Sequence, residues 1–168
     1  MVVDALAFSQ AGRVLEGSRK ASEFARLCQG LPAPQDAEIA WRVAGRQDAG
    51  TGRLWLDIHA QGAVTLVCQR CLGPLALPVQ VDNTVGLVKN QAQLDALDAL
   101  ESTGEGSDVE YLVADRQLDI LALIEDELIL ALPYAPRHDV CPGAEDEPGH
   151  QDVTKPSPFA VLEQLRKH

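Results

Sequence analysis

The sequence predicts an α+β fold: an antiparallel β-sheet or partly open barrel with a buried helix packed against it. Three observations point there. Residues 36–87 repeatedly alternate apolar and polar side chains with a period of two, as half-buried strands do. Short turns containing Gly separate these stretches, which makes neighbours antiparallel. One long apolar stretch, LDILALIEDELILAL at 118–132, has helical spacing instead and places an Asp at its start.

Taken in order, residues 3–10 suit one or two turns of amphipathic helix, and 13–17 suit a short strand. Ser18 is placed to cap a helix over 20–28, in which Ala21, Phe24, Leu27 and Cys28 share a face. Cys28 therefore reads as a core thiol. The run 30–34, GLPAP, is a loop. In 36–46, Ile39, Trp41 and Val43 oppose Arg42, Ala44 and Arg46; in 53–60, Leu54, Leu56 and Ile58 oppose Trp55, Asp57 and His59. Gln61-Gly62 is expected to turn the chain into a further hairpin. Its arms run to Val67 and from Leu75 toward Leu87, and its tip holds Cys68-Gln69-Arg70-Cys71, with Gly73-Pro74 breaking the arms.

Asn90 can cap a helix that aligns Leu94, Leu97 and Leu100. Residues 101–107 are acidic and small, the composition of a mobile segment, and 108–113 is a short strand. Asp119 is a good N-cap for a helix over 120–131. Ile120, Leu121, Ile124 and Leu128 cover one arc of it, and Glu125 and Asp126 are expected to face water. Pro133 and Pro136 end it. A loop over 139–157 and a helix over 158–166, with Ser157 as cap and Pro158 in the first turn, complete a single domain of 168 residues.

Net charge is −11 and the pI about 4.6. That disfavours broad electrostatic binding to nucleic acid, which needs cations to displace phosphate counterions. Residues 91–152 hold sixteen Asp and Glu against Arg116 and Arg137 alone. A surface of this sign suits a basic protein partner. The start lacks the basic and apolar regions of an export signal, and Glu125-Asp126-Glu127 interrupts the most apolar stretch. The reading is cytosolic, with no membrane contact and with reduced cysteines.

The Cys-x2-Cys turn is the most distinctive chemistry. A redox pair of this spacing normally opens a helix, whereas a strand follows here. Two ligands more would make a zinc site, and His138 and Cys141, spaced His-x2-Cys, would complete a Cys3His set. A metal-free structural turn is the alternative. Glu125, Asp126 and Glu127 diverge by about 100° each around a helix, so they do not converge on one ion; they read as a solvated face that a partner could contact. Arg42, Arg46 and Arg70, with Arg53 and the two tryptophans nearby, are the candidates for direct RNA contact. No nucleophile elbow, phosphate loop or dinucleotide fingerprint occurs, so the sequence predicts a protein that is not an enzyme.

Two segments, VTLVCQRCLGPL (64–75) and LDILALIEDELILALPYAPRHDVC (118–141), followed by KPSPFAVLEQLRK (155–167), resemble the YceD family of large ribosomal RNA subunit accumulation proteins. The resemblance implies a bacterial cytosolic factor for synthesis, processing or stability of 23S rRNA in large-subunit biogenesis. It supplies no catalytic residues. Some relatives carry extra cysteines near the position of Cys141, which implies zinc there; this chain has only His138 and Cys141 in that region. With the charge map, the expected partner is a basic ribosomal protein or a large-subunit assembly intermediate. Direct RNA binding and zinc-dependent RNA processing are the alternatives.

Overall fold

Alternating side chains build an open, mostly antiparallel sheet in this computed structural model, which describes residues 1–102 and 109–142. Residues 1–138 form one unit and residue 139 begins another. The first unit opens with β1 (Val2–Val3) and helix α1 (Ala5–Gln10). Strands β2 (Val14–Lys20), β3 (Glu38–Gln47), β4 (Leu54–Val67) and β5 (Pro74–Val88) follow. Then come helix α2 (Gln91–Ser102), β6 (Tyr111–Val113), β7 (Leu118–Asp119) and helix α3 (Ile120–Ala131).

The sheet order is β2-β3-β4-β5-β6, and β1 pairs with β7 separately. The expected α+β architecture is present, and the sheet does not close into a barrel among the described residues. One pairing differs from the antiparallel expectation: β6 runs parallel to β5, with Gly86 opposite Tyr111. A parallel neighbour needs a crossover, and α2 with the residues after it supplies one.

Two sequence expectations fail for identifiable reasons. Gln61-Gly62 is no turn; β4 runs unbroken through it, with Gly62 opposite Val79. A Cβ there would lie 2.7 Å from the Glu38 carbonyl oxygen, so glycine serves close backbone approach rather than chain reversal. Ser18 does not cap a helix. It sits within β2 and donates its hydroxyl to Glu38 Oε2 at 3.3 Å. The chain makes only a 3-10 turn at Ala21–Glu23 before looping toward β3. Cys28 is half-buried and donates its thiol to the Ala21 carbonyl at 3.1 Å.

The alternation buries one face of the sheet. Ile39, Val43, Leu56 and Ile58 are fully buried there, together with Ile120, Ile124 and Leu128 of α3. Burying each such side chain contributes roughly 1.5–3 kcal/mol before entropy is counted. Asp119 caps α3 as expected, accepting from the Leu121 N–H at 3.0 Å, and Asn90 accepts from the Gln93 N–H at 3.0 Å. No helix among the described residues is long and apolar enough to cross a membrane. The acidic segment over 101–107 lies largely outside the described residues, and the closing helix over 158–166 lies wholly outside them, as does most of the 139–157 loop.

Candidate metal centre

The β4–β5 hairpin places Cys68 and Cys71 on one tight tip. Cys68 N–H donates to the Gly73 carbonyl and Leu72 N–H to the Cys68 carbonyl, both at 2.9 Å. Leu72 has φ of 60°, a left-handed conformation that a branched side chain tolerates poorly. It lets the chain reverse within four residues and turn the two sulfurs the same way.

The segment after α3 returns to this tip. Gln69 N–H donates to the Pro136 carbonyl at 2.8 Å, and Arg70 Nη2 donates to the His138 carbonyl at 2.8 Å. These bonds hold His138 over the cysteines. The sulfurs of Cys68 and Cys71 and the His138 ring lie within 4.8 Å of one another, with His138 Nδ1 3.4 Å from Cys71 Sγ. Ligands on a tetrahedral zinc, with bonds near 2.0–2.3 Å, stand roughly 3.6 Å apart. The donor spacing therefore fits.

Surrounding groups prepare these donors. His138 Nε2 lies 3.2 Å from the Pro74 carbonyl. A carbonyl only accepts, so this contact places the ring proton on Nε2 and leaves the Nδ1 lone pair toward the sulfurs. Burial pushes the Cys68 thiol up. Backbone N–H groups of Cys71, His138 and Arg70 more than offset it and bring the thiol down to about 5. Two of those donors lie 3.4 Å (His138) and 3.5 Å (Arg70) from the sulfur. A thiolate is the form that ligates metal. Cys141, the fourth expected ligand, is buried and lies in the unit that begins at residue 139.

The family model described as large ribosomal RNA subunit accumulation protein YceD matches residues 56–166. The chain belongs to the YceD family. It is similar to the Large ribosomal RNA subunit accumulation protein YceD of Haemophilus influenzae, at 32% identity over 111 residues. That match covers 62% of this chain and 60% of the relative, so the chain spans less than two thirds of the relative's length. No solved structure matches it. The matched YceD region contains both cysteines of the hairpin tip, His138 and Cys141.

The other expected contact residues do not assemble into one site. Arg70 serves the tip. Arg46 pairs with Asp57 at 2.9 Å and lies over the Trp55 ring, 5.2 Å from its centroid. Arg42 stands 3.9 Å from Glu16. Trp41 is buried and alternates with the exposed Arg42 along β3.

The solvated reading of the α3 carboxylates needs correction. Glu125 and Glu127 are buried, and Asp126 is exposed. Glu125 accepts the backbone N–H groups of Arg26 at 2.6 Å and Leu27 at 3.1 Å, and Arg26 Nε at 2.9 Å. Glu127 accepts from Asn83 Nδ2 at 3.1 Å. These groups tie the 21–31 loop and β5 to α3. Sequence reasoning missed Arg26 and Asn83 because each meets its carboxylate across a long sequence separation. It also missed the Pro74 carbonyl, for which a side-chain pattern carries no signal.

Proposed function

We propose that this chain is a non-catalytic factor supporting accumulation of 23S rRNA during large-subunit biogenesis, acting through a basic protein or assembly intermediate. Its YceD membership and the name of its Haemophilus relative support the process. The net charge of −11 supports the partner class.

A structural zinc, held by Cys68, Cys71, His138 and Cys141, is part of this reading. The observation that carries it is the His138 imidazole, whose Nε2–H donates to the Pro74 carbonyl while Nδ1 faces the hairpin thiols. Cys141 follows His138 closely enough for the chain to span the gap, about 10 Å when extended. Four protein ligands close a zinc site to substrate, which makes the metal a clamp rather than a catalyst. The clamp joins the β4–β5 hairpin to the segment following α3.

Cells depleted of the protein and complemented with variants test this reading. The ratio of large- to small-subunit rRNA should recover with the native chain and remain low with C68S/C71S. Recovery with that double variant would separate the metal centre from the biological role. Full recovery of the ratio in cells lacking the protein altogether would remove the role itself.

A further inference from the structure

The sheet face turned away from the core carries a trough that the metal centre does not use. Its floor is the cross-strand row Ser18–Ala40–Gln61–Gln80, each residue the register partner of the next. Ala40 contributes only a methyl group to this row. One wall is the adjacent row Glu16–Arg42–His59–Asp82, also paired strand to strand. Glu38 and Pro78 border the other side. The part beside the charged wall is an open groove with a volume of about 530 Å³.

The lining is acidic and has unused hydrogen-bonding capacity. Glu16, Glu38 and Asp82 stand against Arg42, and His59 Nδ1 lies 3.1 Å from Asp82 Oδ1. Lys20 faces Glu38 in register but does not line the trough. No hydrogen bond among the described residues engages the Gln61 or Gln80 side chains. Their amides offer donors and acceptors to an extended backbone. A phosphate backbone would meet three carboxylates, whereas guanidinium groups would find acceptors on both walls.

We propose that this trough docks an extended arginine- or lysine-bearing segment of a basic protein. The proposal rests on the partner class given above and locates its contact on the sheet rather than on the acidic region 91–152.

The test is a titration of the full chain, followed by NMR at low salt, with a synthetic peptide of alternating arginine and threonine. Backbone amides of 16–18, 40–42, 59–62 and 80–82 should shift, together with the Gln61 and Gln80 side-chain amides. The surface variant E16Q/E38Q/D82N should weaken binding about ten-fold or more. The charge-matched variant D95N/D98N/D115N should stay within about two-fold of the native chain. Both variants should keep the native amide spectrum elsewhere. Equal losses in the two variants, or shifts confined to 91–152, would overturn the location while leaving a basic partner in place. No peptide binding at all would overturn the partner class as well. Shifts of the trough amides by single-stranded oligouridine and not by the peptide would assign the trough to RNA and overturn the proposal.

Discussion

His138 meets Cys71 across 67 residues of sequence, with the imidazole Nδ1 3.4 Å from the sulfur. The Arg70 guanidinium and the Gln69 N–H hold the returning segment in place through the His138 and Pro136 carbonyls. Protein groups alone thus bring Cys68, Cys71 and His138 together, so a metal would enter an arrangement that the hairpin and the post-helix segment already form.

Glu125 and Asp126 are adjacent but should behave differently on substitution. Glu125→Ala leaves the buried Leu27 N–H without its acceptor and frees the 21–31 loop, a loss of about 2–3 kcal/mol. Asp126→Ala removes an exposed contact to the same Arg26 and should cost less than about 1 kcal/mol. Urea unfolding at neutral pH measures both.

Glu127 sets a pH dependence of known sign. Burial raises its pKa, with Glu110 and Asp126 adding to the shift and the Asn83 hydrogen bond opposing it. The native state therefore holds this proton more tightly than the unfolded chain. Its contribution to stability is full below the unfolded value near 4.5 and is lost as pH rises through the higher folded value. Glu127→Gln should flatten that part of the stability-versus-pH curve, relative to the native chain, in thermal unfolding followed across pH 4–7. An unchanged slope would contradict the burial argument.

Gly86 holds an aromatic contact at the β5–β6 edge. A Cβ there would lie 2.4 Å from the Tyr111 ring and 3.3 Å from Trp55, whose ring centroids are 6.1 Å apart. Gly86→Val should displace Tyr111, weaken the three-residue β6 pairing and destabilise by roughly 1–3 kcal/mol. Tryptophan fluorescence should shift toward that of an exposed indole.

Much of this was legible in the chain because it depends on local pattern. Ile39, Trp41 and Val43 alternate by strand geometry alone, and Asp119 caps α3 by local chemistry. The Cys-x2-Cys spacing at the hairpin tip, which the fold brings beside His138, is likewise a local pattern. What escaped depends on distant backbone. Gly62 resembles a turn residue until Glu38 is seen pressed against it, and Glu125 resembles a surface charge until the Arg26 and Leu27 N–H groups reach it. The parallel pairing of β6 is equally hidden, since no feature of Tyr111-Leu112-Val113 specifies its direction.

The central claim is the metal clamp, and metal content of the full chain, purified without an affinity tag or chelator, tests it most directly. The account predicts about one zinc per chain, lost in Cys71→Ser and retained in Cys28→Ser, with a lower unfolding temperature when the metal is removed. Protein that is folded, free of zinc and unchanged in stability on adding it would contradict the clamp.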